Sequence, residues 1–135
     1  MAEMKIKALP ENLNQVQNFV DGELELMACP MKIQMKIDLC VEEMYINVAS
    51  YAYNNGIGDA QIIVEACKER PGVRITLIDC GDAYDPLQKG DPDVTASAEE
   101  REIGGLGIFL VKKNMDQLSY VRSAGKNILR MTKYF

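Results

Sequence analysis

The sequence predicts an α+β fold in which three helices cover one face of a single sheet of about four or five strands. Two long stretches in the first half repeat apolar residues at helical spacing, and a third helix is predicted after a glycine-rich segment. Short runs with strand character stand before and after these stretches. Because 135 residues suit one domain, residues 1–135 are expected to share one hydrophobic core.

A strand near an edge of the sheet and two helices are predicted in the first half of the chain. Residues 4–9 alternate apolar and lysine side chains, as in a half-buried strand. Asn12 and Gln15 resemble a capping box, which predicts a helix from there to about residue 27. A longer helix is predicted over about residues 31–53, where apolar side chains form an inward stripe.

Further strands and a third helix are predicted in the second half. The strand-like runs are residues 60–66, 73–80, 117–122 and 127–134. Each consecutive pair is joined by a short connection, so two hairpins are expected. The hydrophilic segment at about 86–103 lacks aromatic residues and is interpreted as a functional lid or a disordered insertion. The third helix is expected to open at residues 104–107 and to end near residue 115.

Composition and charge exclude several classes of function. The formal net charge is −5 and there is no basic block, which argues against direct nucleic-acid binding or an anionic membrane surface. The absence of histidine excludes Ser-His-Asp and Cys-His nucleophiles and most zinc sites. The four cysteines contain no C-x-x-C motif and are expected to be reduced thiols. With no apolar run of membrane-spanning length and no secretory signal, a cytoplasmic protein is expected.

The long second helix carries a polar pair that could support chemistry. Glu43 and Asn47 have the i, i+4 spacing that makes both project from one helix face. A carboxylate can take a proton from a hydroxyl or a water, and an amide oxygen can occupy one ligand position of Mg²⁺. The alternative is the solvated flank of an amphipathic helix, which is the usual meaning of such a pair in isolation.

Two further segments offer binding groups. Asp79 stands at a strand end, where its carboxylate can accept a hydrogen bond from an exocyclic amine, and Gly81 would let a flat ring approach the backbone. The glycine-rich segment 104–107 opens a helix whose first N–H groups are free to bind an anion. The alternatives are an ordinary acidic turn in the first case and a flexible hinge in the second.

The order of these candidates along the chain resembles the N, G1 and G2 boxes of the GHKL ATP-binding superfamily. The resemblance covers essentially the whole chain and is closest to the bacterial anti-sigma-factor serine kinases of the RsbW type. The matching segments are VEEMYINV at 41–48, DCGDAYDP at 79–86 and GGLGIFLV at 104–111. The resemblance implies a two-layer α/β sandwich with a mixed, mainly antiparallel sheet, an ATP lid at about 86–103, and bound Mg²⁺ and ATP.

The resemblance also implies roles for individual residues. Glu43 would be the catalytic carboxylate, Asn47 the Mg²⁺ ligand and Asp79 the acceptor of the adenine amine. The further cofactor-binding candidates are Gly81, Asp85, Arg101, Gly104, Gly105, Leu106, Gly107 and Asn127. Among them, Gly105 and Gly107 would lie against the phosphates, and Arg101 would contact the phosphates from the lid.

Three positions depart from the family's pattern. Ala83 replaces a second glycine that is common in the wider superfamily. Tyr51 stands where relatives often carry a basic or histidine side chain, which leaves one phosphate contact unaccounted for. Asn127 stands where a threonine often lies near the adenine, and its side chain can still form a hydrogen bond.

The function implied by the resemblance is that of a serine protein kinase and anti-sigma factor in a bacterial partner-switching module. Its partners would be a sigma factor and an antagonist protein that carries the phosphoaccepting serine, and a homodimer is compatible with this role. One alternative is a non-catalytic module that sequesters its partner and uses ATP only to set its conformation. Another is the detached ATP-binding part of a histidine kinase.

Overall fold

The computed structural model describes residues 1–54, 56–88 and 105–135. The strands in these residues are β1 (Ala2–Lys7), β2 (Asp59–Ala66), β3 (Gly72–Asp79), β4 (Gln117–Ser123) and β5 (Lys126–Tyr134). The α-helices are α1 (Leu13–Leu26), α2 (Met31–Asn47) and α3 (Gly105–Asn114). Shorter helical segments occupy Pro10–Asn12, Val48–Ala52 and Pro86–Gln88, and the second of these is a π-helix. The predicted α+β class is confirmed.

The strands form one sheet in the order β1-β2-β3-β5-β4. Every neighbouring pair is antiparallel, so the described sheet is wholly antiparallel and has no parallel pair of the kind that a mixed sheet would contain. Both predicted hairpins, β2–β3 and β4–β5, are confirmed, and a short turn can join only antiparallel neighbours. The register places Asp79 opposite Asn127, at the ends of two neighbouring strands.

The hydrophobic core lies between the sheet and a layer of helices. Alternate residues of β2 and most residues of β3 are buried, and helix residues at i, i+3 and i+4 spacing pack against the sheet. The buried set includes Val16, Val20 and Leu24 of α1, Ile37, Val41 and Met44 of α2, Ile62 and Val64 of β2, and Val73, Ile75 and Leu77 of β3. Because α2 contacts both α1 and α3, it is the central helix of its layer.

Two predicted helix features differ from the structure. The capping box is not formed, because the Asn12 amide donates to the Lys7 carbonyl at 2.9 Å and the Gln15 amide donates to Asn12 Oδ1 at 3.4 Å. The turn Pro10–Asn12 leads the chain into α1, and the side chain of the N-cap residue Asn12 makes no capping hydrogen bond to that helix. The second helix has nearly the predicted length, but its last turn, from Val48, has π geometry.

The predictions for the lid, the cysteines and the lengths of the helices have different outcomes in the structure. Most of the predicted lid lies outside the described residues, and its first part, Pro86–Gln88, forms a 3₁₀ turn. The thiols of Cys29, Cys40, Cys67 and Cys80 are all free, as predicted. Within the described part of the chain, no helix combines the length and the apolar character that crossing a bilayer requires.

Two carboxyl groups meet in the seam between α1 and α2. Asp21 and Asp38 lie within hydrogen-bonding reach of each other, and the Oδ1 atom of each is buried without a partner among the described residues. Burial, together with the hydrogen bond and the negative charge of Asp21, raises the pKa of Asp38 to about 8. A proton held by this pair supplies the donor that the two buried oxygens otherwise lack.

This pair makes the stability of the protein depend on pH. The unfolded chain releases the proton near the ordinary pKa of 3.8, whereas the folded chain holds it to about pH 8, so stability falls as the pH rises between those values. Asp38→Asn, which donates a hydrogen bond and cannot ionise, should therefore stabilise the protein more at pH 8 than at pH 5. Urea unfolding across this range measures the difference.

The exposed Glu25→Gln on α1 is the control for this experiment, and it should leave the pH dependence of stability unchanged. If wild type and Asp38→Asn lost stability equally between pH 5 and pH 8, the shared proton would be ruled out.

Candidate active site

A cavity of about 400 Å³ lies between the helical layer and one end of the sheet. Its walls come from the end of α2, the segment after β3, the first turns of α3, and strands β4 and β5. Apolar walls are formed by Met44, Leu77, Ile108 and Leu129, and polar groups by Asn47, Asp79 and Asn127. An apolar cleft with a few placed polar groups is typical of a small-molecule site.

Asp79 is the last residue of β3 and is only 5% exposed. Its Oδ1 atom accepts hydrogen bonds from the Gly81 N–H and from Asn127 Nδ2, each at 2.9 Å. Among the described residues, no donor reaches its Oδ2 atom. Because Asp79 also lines the cavity, this second oxygen can accept a hydrogen bond from a ligand.

Gly81 meets a neighbour that the sequence did not indicate. A Cβ atom at this position would lie 2.2 Å from the carbonyl oxygen of Ala52, and the same oxygen accepts the Asp82 N–H at 2.9 Å. The close approach expected of a flat ring is thus made by another backbone segment. Gly81 lets the turn after β3 pack directly on the π-helical end of α2, and its contact with a cofactor stays a prediction.

The two residues that follow the π-helical segment, Tyr53 and Asn54, hold the turn after β3. The Tyr53 hydroxyl accepts the Cys80 N–H at 2.9 Å and donates to the Asp59 carbonyl at 2.5 Å. The Asn54 amide donates to Asp82 Oδ2 at 2.7 Å. A π-turn changes the direction of side chains and carbonyls at a helix end, and such turns are frequent at functional sites.

Strand β4 supports the same turn from the other side. The Tyr120 hydroxyl donates to Asn127 Oδ1 at 2.5 Å, and Arg122 Nη1 donates to the Gly81 carbonyl at 2.8 Å. Asn127 Nδ2 also donates to the Asp82 carbonyl at 2.8 Å. These hydrogen bonds of Asn127 are all made within the protein, and its contact with a cofactor stays a prediction. Tyr120 and Arg122 were not predicted, although the two-residue turn at 124–125 fixes the register that directs both inward.

The predicted polar pair of α2 lies beside the start of α3. A Cβ atom at Gly107 would lie 2.3 Å from Glu43 Oε2, so the carboxylate is in direct contact with this glycine. Asn47 lies one turn later on α2 and lines the cavity. The backbone of α3 begins at Gly105. The fold therefore brings Glu43, Asn47 and the first turn of α3 to one side of the cavity.

The other predicted residues have different positions. Asp85 Oδ1 accepts the Leu87 N–H at 2.9 Å and so closes the turn that contains Pro86. Gly105 and Leu106 form the start of α3, while Arg101 and Gly104 lie outside the described residues. Tyr51 and Ala83, the two departures from the family pattern in this region, both line the cavity.

The described residues could hold Mg²⁺ only if other molecules supplied most of its coordination shell. Among them there is no group of three or more acidic or cysteine side chains that could hold a metal ion. Asn47 offers one amide oxygen at the cavity wall. This fits Mg²⁺, which usually keeps several waters and takes its other oxygens from substrate phosphates.

The chain is similar to a known protein family and to individual proteins of that kind. Residues 6–133 match the family described as the histidine kinase-like ATPase domain. Serine/threonine-protein kinase BtrW of Bordetella bronchiseptica is 32% identical over 103 residues, which cover 76% of this chain and 72% of the relative. Serine-protein kinase RsbW of Staphylococcus aureus is 26% identical over 138 residues, which cover 98% of this chain and 85% of the relative.

The packing of Gly81 on Ala52 can be tested by adding one methyl group. Gly81→Ala should destabilise the fold by about 1–3 kcal/mol, because two backbone segments would have to separate. The matched control is Gly22→Ala on α1, where an added Cβ meets no atom within 4 Å and should stabilise the helix by about 0.5–1 kcal/mol. Urea unfolding measures both changes, and unaltered stability of Gly81→Ala would contradict the close contact.

Proposed function

Because the chain belongs to the histidine kinase-like ATPase family, we propose that it is an ATP-dependent serine protein kinase that also acts as an anti-sigma factor. Relatives that align with most of the chain are named serine-protein or serine/threonine-protein kinases. The observation that carries the proposal is the Glu43 carboxylate, which contacts Gly107 beside the cavity that Asn47 and Asp79 line. In the proposed reaction Glu43 would be the proton acceptor, Asn47 would offer an amide oxygen to a metal ion, and Asp79 would bind the nucleobase.

Asp79 would select adenine over guanine. Its Oδ2 atom, which takes no hydrogen bond from the described residues, would accept the exocyclic amine of adenine. Guanine presents a carbonyl at that position, so two acceptors would face each other and stay unpaired. A buried polar group without its partner costs about 1–3 kcal/mol. The apolar walls formed by Met44 and Ile108 would enclose the ring.

Glu43 would act as the general base in phosphoryl transfer. The hydroxyl proton of the partner's serine moves to the Glu43 carboxylate while the serine oxygen bonds to the γ-phosphorus of ATP. The bond from the γ-phosphorus to the β–γ bridging oxygen breaks, and ADP leaves. When bound, Mg²⁺ offsets the phosphate charge, and Asn47 would supply one of its ligands. The first N–H groups of α3 would bind phosphate oxygens.

The proposed partners are a sigma factor and an antagonist protein that carries the phosphoaccepting serine. The net charge of −5 and the absence of a basic block favour protein partners over nucleic acid. If the nucleotide state decides which partner is bound, each partner must change the affinity for the nucleotide by the same factor. The role also implies a cytoplasmic location, since bacterial transcription takes place there.

Nucleotide selection can be measured by calorimetry with ATP and GTP. Wild type should prefer ATP, and Asp79→Asn should bind ATP roughly tenfold to a hundredfold more weakly, because a hydrogen bond to a charged group is lost. Glu65→Gln on β2, whose carboxylate pairs with Arg74 on the sheet, is the control and should bind like wild type. Equal affinity of wild type for ATP and GTP would exclude Asp79 as the adenine acceptor.

The kinase activity can be separated from nucleotide binding by replacing the Glu43 carboxylate with an amide of the same size. Glu43→Gln should bind ATP normally and transfer phosphate about 10²–10⁴-fold more slowly, because it cannot accept the serine proton. The readout is label transfer from γ-labelled ATP to a protein in an extract of the source cells, with the phosphoserine located by mass spectrometry. The neighbouring exposed Glu42→Gln is the matched control and should transfer at the wild-type rate.

Two outcomes would change the proposal. Normal transfer by Glu43→Gln would assign the base to another group. ATP binding by wild type without any transfer would favour a non-catalytic module that sequesters its partner.

A further inference from the structure

The side chain of Asn127 uses every polar atom of its amide. Nδ2 donates one hydrogen to Asp79 Oδ1 at 2.9 Å and the other to the Asp82 carbonyl at 2.8 Å. Oδ1 accepts the Tyr120 hydroxyl at 2.5 Å and the Tyr84 N–H at 3.4 Å. The residue is 7% exposed, so water has little access to replace any of these partners.

The four contacts fix the amide in one orientation. If the amide turned over, its oxygen would face Asp79 Oδ1 and the Asp82 carbonyl, and three acceptors would stand together without a donor. In the observed orientation, the bond from Tyr120 is the short one on the oxygen side, and the bond from the Tyr84 N–H is long. Tyr120 is therefore the principal contact that keeps the oxygen end of the amide in place.

The orientation of Asn127 determines which oxygen of Asp79 is available. The last torsion of an aspartate side chain is broad, so a single hydrogen bond leaves the carboxylate free to rotate. Two donors on Oδ1, the Gly81 N–H and Asn127 Nδ2, restrict that rotation. With Oδ1 occupied on both sides, Oδ2 is the atom left to a ligand in the cavity.

We propose that Tyr120 is a positioning residue for nucleobase recognition, which acts through Asn127 to present Asp79 Oδ2 to the exocyclic amine of adenine. The inference rests on the proposed function, because it takes adenine to be the occupant of the cavity. Tyr120 also lines the cavity, so a direct contact with the base is the competing explanation for any effect of its hydroxyl. The two explanations differ in whether the effect depends on the amine.

A nucleotide without the amine separates these explanations. Calorimetry would compare ATP with purine riboside triphosphate, whose base is adenine without the 6-amino group, for wild type and Tyr120→Phe. Tyr120→Phe should bind ATP about threefold to tenfold more weakly, which is the effect of one hydrogen bond, and should bind the amine-free analogue as wild type does. Tyr134→Phe, which removes a hydroxyl bonded to Glu69, is the matched control and should change neither affinity.

A double variant tests whether Tyr120 influences ATP binding through Asp79. In the Asp79→Asn background the carboxylate is already lost, so adding Tyr120→Phe should weaken ATP binding no further. Independent, additive effects of the two changes would overturn the inference. Thermal unfolding of each variant establishes that the proteins compared are folded.

The remaining outcomes distinguish this inference from the proposed function. If Tyr120→Phe weakened the binding of both nucleotides equally, or of neither, the positioning role would be overturned. Binding of ATP by wild type would still support the proposed function. Wild type that bound neither nucleotide, or bound both equally well, would overturn the adenine assignment itself and the role of Tyr120 with it.

Discussion

The contact between the turn after β3 and the end of α2 determines the geometry of the site. The Ala52 carbonyl accepts the Asp82 N–H, and Gly81 lies so close to this carbonyl that a side chain there would overlap it. Asp79 directly precedes this turn, and Asn47 lies on the helix that ends at Ala52. This backbone contact, together with the hydrogen bonds of Tyr53 and Asn54 to the same turn, therefore fixes the end of the helix relative to the end of β3. Side-chain packing alone would leave the helical layer more freedom to slide over the sheet.

The features that the sequence predicts correctly depend on local spacing. Alternation along the strands and helical periodicity along α1 and α2 predict the fold class, the two layers and the hairpins. They do so because the spacing between nearby residues determines on which face of a strand or helix each one lies. The i, i+4 relation of Glu43 and Asn47 has the same origin. The capping box fails because its two residues find other partners, the Lys7 carbonyl and each other. A local motif predicts a helix end only when no nearby turn competes for the same groups.

The features that the sequence does not predict depend on which segments meet. The sequence indicates that residue 81 must be a glycine because another group approaches its backbone closely, but it does not identify Ala52 as that neighbour. Tyr120 is different, because the turn residues of the last hairpin indicate the direction in which its side chain points. Ala124 and Gly125 both have positive φ, as a tight two-residue hairpin turn requires, and this fixes the pairing of β4 with β5. A slip of one residue would direct Tyr120 to the opposite face of the sheet.

Asp79 and Glu43 are supported by different parts of the fold, which bears on how the proposed selection of adenine and the proposed phosphoryl transfer depend on each part. Within the described residues, the hydrogen bonds on Asp79 come from its own turn and from β5, and those on Asn127 reach β4. Glu43 instead lies against the first turn of α3. A shift of α3 would therefore move the surroundings of Glu43, the proposed general base, without breaking the hydrogen bonds on Asp79. Because α2 carries Glu43 and also ends on the turn beyond Asp79, a shift of α2 would affect both residues together. Because Ile108 of α3 lines the cavity and the first N–H groups of α3 are proposed to bind phosphate, a shift of α3 would change nucleotide affinity as well as transfer, while the hydrogen bonds on Asp79 that are proposed to select adenine would stay in place.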